Sequence, residues 1–65
     1  MMIVVNGDRT VLPDETTVAG VLGVLGLPGR GIAVAVDGAV VSRRDWHSPL
    51  IDGAEVEILT AVQGG

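Results

Sequence analysis

Apolar and polar residues alternate along most of this chain, and one segment between the alternating stretches has a helical spacing instead. MIVVN, ending at Asn6, and RTVL, Arg9 to Leu12, flank the pair Asn6-Gly7 and stop at Pro13. GIAVAV, ending at Val36, and AVVS, from Ala39, flank Asp37-Gly38, while EVEILTAV follows Asp52-Gly53. Each Asn-Gly or Asp-Gly pair tolerates positive φ and favours a tight turn, so the first two pairs predict hairpins and the third a turn into a final strand.

Between the hairpins lies TTVAGVLGVLGLPG. Thr17 suits an N-cap, and Val18, Val21, Leu22 and Leu25 recur at a spacing that gathers them on one helical face. Gly26, with Pro28-Gly29, ends the element. Gly20 and Gly23 each cost about 1 kcal/mol against alanine in a helix interior. Either packing on the sheet holds this helix together, or the glycines let it approach the sheet closely.

The predicted order is strand, strand, helix, strand, strand, short irregular segment, strand. For one small domain the economical arrangement is α+β: a mixed five-stranded sheet with one main helix packed on one face. Alternation then sorts the strands. Ile3, Val5, Ile32, Val34, Val36, Val56 and Ile58 are expected to point at the helix. Val4, Ala33, Ala35, Glu57, Leu59 and Ala61 are expected on the opposite, solvated face, where Val4, Ala35 and Leu59 form a candidate apolar docking patch.

Composition narrows the function. The chain has 65 residues, 48% of them hydrophobic, with no cysteine and no phenylalanine or tyrosine. The core is therefore aliphatic, and disulfides, thiolate metal sites and cysteine nucleophiles are excluded. A net charge of −4 argues against nucleic acid, whose phosphates call for clustered basic residues. No apolar run approaches the length of a membrane span, so a soluble, cytoplasmic protein without membrane contact, monomeric when alone, is the expectation. His47 is the only histidine and has no second member with which to build a metal site or a triad. No phosphate-binding loop or nucleophile elbow is present.

The chain closes on AVQGG. At this glycine content a terminal pair arises by chance in roughly one chain in 40, so its weight depends on what precedes it. What precedes it resembles the ThiS sulfur carriers of thiamine biosynthesis, small ubiquitin-like proteins of the MoaD/ThiS superfamily. The resemblance runs almost end to end. It includes Asn6-Gly7, Thr17-Val18, AVAVDG from Ala33 to Gly38, Val40-Val41, then Arg44, Asp45 and Trp46, Asp52-Gly53, and VEI leading into AVQGG. Ser42 stands where the family usually has proline, and Ala54 where it often has aspartate.

That resemblance implies a ubiquitin-like β-grasp domain over residues 1–62, with first and last strands side by side in the sheet centre, and a tail over residues 63–65. It implies a protein co-substrate, not an enzyme. The carboxylate of Gly65 is adenylated by a ThiF-like enzyme using ATP and Mg²⁺, sulfur from a donor protein converts it to a thiocarboxylate, and a ThiG-like thiazole synthase receives the sulfur. The carrier itself binds no cofactor or metal. Gly64, Gln63 and Val62, with Leu59, Val4 and Ala35, are the expected partner contacts. Glycine suits such a tail because it lacks Cβ, which permits close backbone approach inside an enclosed site.

Trp46 has two readings, an interface anchor or a plug that seats the irregular segment on the domain. Arg43 and Arg44 read as a solvated step with a partner contact as the alternative. Asp14-Glu15 precedes the helix, where negative charge complements the dipole. Rival functions remain open: a carrier for molybdopterin or cysteine synthesis, a ubiquitin-like modifier joined through Gly65 to lysines, or an interaction module whose apolar sheet face is the function.

Overall fold

The computed structural model describes residues 1–60. Five strands form one sheet in the order β2-β1-β5-β3-β4. They are β1 (Met2–Val5), β2 (Asp8–Val11), β3 (Ile32–Val36), β4 (Ala39–Val40) and β5 (Glu55–Thr60). β1 and β5 run parallel and every other neighbouring pair is antiparallel, so the sheet is mixed and β5 is its central strand. Valine and isoleucine dominate β1, β3 and β5, as the pleated surface favours.

The first two turns adopt the expected geometry. Asn6 and Gly7 have φ of 49° and 88°, and Asp37 and Gly38 have 50° and 87°, the paired positive values of a type I′ hairpin turn. The third turn differs, because only Gly53 takes positive φ while the Ala54 N–H closes onto the Ile51 carbonyl at 2.9 Å. β4 is also shorter than the sequence pattern predicts. After Val40 only the Val41 N–H still reaches β3, at the Val34 carbonyl, before the chain turns into a 3-10 helix over Arg43–His47.

The helix α1 (Val18–Leu25) begins and ends as its sequence predicts. Thr17 Oγ1 accepts the Gly20 N–H at 3.0 Å, and Gly26 caps the other end at φ 70°. Val18, Val21 and Leu22 are buried against the sheet, whereas Leu25 is about half exposed. The two glycines do not serve close approach. A Cβ on Gly23 would meet open space, and one on Gly20 would meet Thr16 at 3.2 Å, within the helix's own entry turn. Burying three aliphatic side chains contributes about 1.5–3 kcal/mol each, which outweighs the roughly 2 kcal/mol cost of two glycines. Packing holds the helix.

The core lies between α1 and one sheet face. Ile3, Val5, Ile32, Val34, Val56 and Ile58 are buried there as alternation predicts, and Val36 packs against them half-buried. Trp46 is 6% exposed and joins this core from the 3-10 helix, its Nε1–H donating to the Val41 carbonyl at 3.2 Å. It is the plug of its segment. Ala54 is buried as well. Asp14 is bonded to the Met1 amino group at 3.0 Å, and the first turn of α1 carries no acidic residue. Among the described residues no helix is long and apolar enough to cross a membrane.

Candidate functional site

β5 is the last element of the described residues and the centre of the sheet, and its two flanks are held differently. On one side β3 pairs with it over five positions, from Val36 opposite Val56 to Ile32 opposite Thr60. On the other side β1 pairs only at Val4 opposite Glu55 and Val5 opposite Val56. β1 then enters its turn at Asn6, and the second half of β5 loses that neighbour.

The turn residue itself fills the gap. Asn6 N–H donates to the Val56 carbonyl at 2.9 Å, which continues the parallel ladder begun by the Val4 N–H on the Ala54 carbonyl. In a parallel pair the next acceptor would be the main-chain carbonyl of Asn6, receiving the Ile58 N–H. Here Asn6 Oδ1 receives it instead, at 2.8 Å, and Nδ2–H donates back to the Ile58 carbonyl over a longer 3.4 Å. An asparagine side chain carries the same donor and acceptor as a peptide group, so it substitutes for the missing strand residue.

The other two turns act similarly. Asp37 Oδ1 accepts the Glu55 N–H at 2.9 Å, and Asp52 Oδ1 accepts the Met2 N–H at 2.7 Å. Thus the leading residue of every Asx-Gly pair both shapes a turn and bonds a neighbouring strand, Asp37 and Asp52 at a strand's first residue and Asn6 within β5. Each was legible as a turn residue, but the second role requires knowing which strand lies alongside.

The open sheet face carries the predicted docking residues. Leu59 is 63% exposed and stands opposite Ala33, while Ala35 is half-buried and stands between Glu57 and Val40. Val4 is half-buried on the same face, opposite Glu55 on the far side of β5. The apolar surface on the β3 side therefore runs through Leu59, Ala33, Ala35 and Val40, and glutamates of β5 stand between it and Val4. Val40, 80% exposed, belongs to this surface although the sequence reading did not include it. Its signal was the two-residue turn, which forces Val40 opposite Ala35.

At the end of this surface a groove of about 380 Å³ is lined by Leu59, Thr60, Gly31, Ile32, Ala33 and Arg43. The Arg43 guanidinium lies 4.7 Å from the centre of the Trp46 ring, close enough for a cation–π contact. Among the described residues it pairs with no carboxylate, whereas Arg44 lies 3.9 Å from Asp45. His47 is exposed, and no group of three metal-ligating side chains occurs among the described residues. Val62, Gln63, Gly64 and Gly65 lie outside the described residues.

Comparison with known proteins agrees with this architecture. No curated protein sequence matches the chain at a significant level. Among solved structures, the crystal structure of the thiamine biosynthesis protein ThiS from Geobacter metallireducens is similar over 100% of both chains, with 26% identity and a TM-score of 0.80. The sequence model of the ThiS family matches residues 2–65, a span that contains the whole sheet and the terminal glycines. With that match across nearly its full length, on a β-grasp arrangement of five strands and one helix, the chain belongs to the ThiS family of sulfur carrier proteins.

Proposed function

We propose that this carrier bears sulfur on Gly65 as a thiocarboxylate and delivers it for thiazole formation in thiamine biosynthesis. The observation that supports this reading best is the family match, which extends through the Gly64-Gly65 pair and does not stop at the end of β5.

A carboxylate is a poor electrophile because its oxygen is a bad leaving group. Attack of one carboxylate oxygen on the α-phosphate of ATP forms an acyl-adenylate and releases pyrophosphate. A sulfur nucleophile then attacks the acyl carbon, AMP leaves with the bridging oxygen, and sulfur remains on the glycine. ATP, Mg²⁺ and the catalytic groups belong to a ThiF-like adenylating enzyme, and a ThiG-like thiazole synthase accepts the sulfur. This chain's contribution is mechanical: it presents one carboxylate, on glycines slender enough to enter an enclosed site, from a strand anchored on both sides. Leu59, Ala33, Ala35 and Val40 offer the apolar surface on which a partner docks, with Val4 across β5 and Arg43 at the margin.

Incubation with an adenylating enzyme, ATP, Mg²⁺ and a sulfur donor is expected to exchange one terminal oxygen for sulfur. Intact mass with fragmentation reads the change and localises it to Gly65. An unchanged mass with several such enzymes, each active on its own carrier, overturns the proposal.

A further inference from the structure

We propose that the Asn6 side chain is a positioning residue for the tail chemistry, an inference that rests on the carrier reading above. Main-chain pairing from β1 reaches β5 only as far as the Val56 carbonyl, yet β5 continues through Ile58 to Thr60. Without a partner on that side, the last residues of the strand that precedes the tail would be held by β3 alone. Asn6 supplies that partner through two bonds to Ile58, at 2.8 Å and 3.4 Å.

The bonds act on a consequential stretch. Ile58 is buried beneath the sheet, and its neighbour Leu59 points to the open face and lines the groove beside Arg43. Fixing the Ile58 peptide therefore fixes both the depth at which β5 sits and the direction in which it ends at Thr60. Five residues follow Thr60, and a chain of that length spans at most about 18 Å. A short connection passes part of its root's direction on to its end, and a wider spread of directions lowers the concentration of a terminal group at a partner's site.

Why asparagine, and not another turn former, follows from the same geometry. Glycine also accepts the positive φ of the turn but has no side chain to bond Ile58. Aspartate accepts it too and keeps an acceptor for the Ile58 N–H, though not the weaker donor. Asn6 thus performs two separable tasks, and substitutions can remove one while keeping the other.

The test compares the native chain with Asn6→Gly and Asn6→Asp, using thermal unfolding, amide exchange at Ile58, and steady-state pyrophosphate release with an adenylating enzyme. Asn6→Gly is expected to remain folded with faster exchange at Ile58. Its kcat should fall about tenfold, less than the roughly hundredfold of a rigid 1 Å misplacement, since Ile58 lies several residues before the reacting carboxylate. Its KM for the carrier should stay within about twofold, since Ala33, Ala35 and Val40 are untouched. Asn6→Asp should recover most of the rate and the protection. An unchanged kcat in Asn6→Gly, or a loss confined to KM, overturns the proposal, and so does failure of that variant to fold, which would make the side chain a requirement of folding. Absence of pyrophosphate release from the native chain, with an enzyme active on its own carrier, instead overturns the carrier reading and the positioning role with it.

Discussion

Asp37 and Glu55 are joined by two hydrogen bonds in opposite directions: the Glu55 N–H donates to Asp37 Oδ1 at 2.9 Å, and the Asp37 N–H donates to the Glu55 carbonyl at 2.8 Å. The second hairpin turn thereby closes the beginning of β5, as Asn6 in the first closes its later part at Ile58. Two turns far apart in sequence hold one strand, at its first residue Glu55 and at Ile58 in its second half.

Replacing Asp37 by alanine removes an acceptor, worth about 0.5–1.5 kcal/mol, and places a Cβ residue with no compensating side chain at φ 50°, worth roughly 1–2 kcal/mol. Chemical denaturation is expected to show a loss of about 1.5–3.5 kcal/mol. Asp37→Gly should lose only the first part. Equal losses in the two variants would mean that the hydrogen bond carries the whole effect.

Leu59 is 63% exposed, so Leu59→Lys should change stability by no more than about 0.5 kcal/mol. Its effect belongs on partner binding. KM for adenylation should rise about tenfold or more, as expected for an apolar anchor of an interface. A variant that unfolds would place Leu59 in the core, and unchanged kinetics would remove it from the docking surface.

The terminal carboxylate offers a sharper test. Deleting Gly65 moves the reacting group back by up to about 3.6 Å, and adding one residue turns the Gly65 carboxylate into an amide. Both variants should unfold at the native temperature, since such end positions tolerate change. Neither should support pyrophosphate release, given that about 1 Å of misplacement already costs about a hundredfold. Normal release from the extended form, with no trimming by protease, counts decisively against chemistry at Gly65.

The helical glycines separate packing from propensity. Gly23→Ala enters open space and should stabilise the protein by about 0.5–1 kcal/mol. Gly20→Ala gains the same propensity but meets Thr16 Cγ2 at 3.2 Å, so its gain should be smaller. Thermal melts of the two single variants rank them directly, and a larger gain at Gly20 would contradict the contact geometry.

Trp46 is the largest side chain in an otherwise aliphatic core. Trp46→Phe should lower the unfolding midpoint, because it leaves a void and the Val41 carbonyl loses its indole donor. Trp46→Ala should cost about 3–5 kcal/mol, comparable with the whole stability of a domain this small. The phenylalanine variant, while folded, should be adenylated at the native rate. Lost adenylation without lost stability would restore Trp46 as an interface anchor.

The elements of this protein are legible in its sequence because their signals are local. Period-two alternation told which side chains of β1, β3 and β5 enter the core, and Ile3, Val34 and Val56 lie there since a pleated strand has only two faces. Thr17 and Gly26 bound the helix through bonds and dihedral angles that involve only nearby residues. The terminal glycines and the motifs before them brought the family into view. Tertiary structure decided what depends on neighbours distant in sequence. The pattern did not show that the Asn6 amide would meet Ile58, 52 positions away, nor that Asp37 would meet Glu55. It placed Val4 and Leu59 on one face without showing the glutamates of β5 between Val4 and Ala35. Alternation assigns a side chain to a face, whereas only strand order and register assign it a neighbour, and hydrogen bonds form between neighbours.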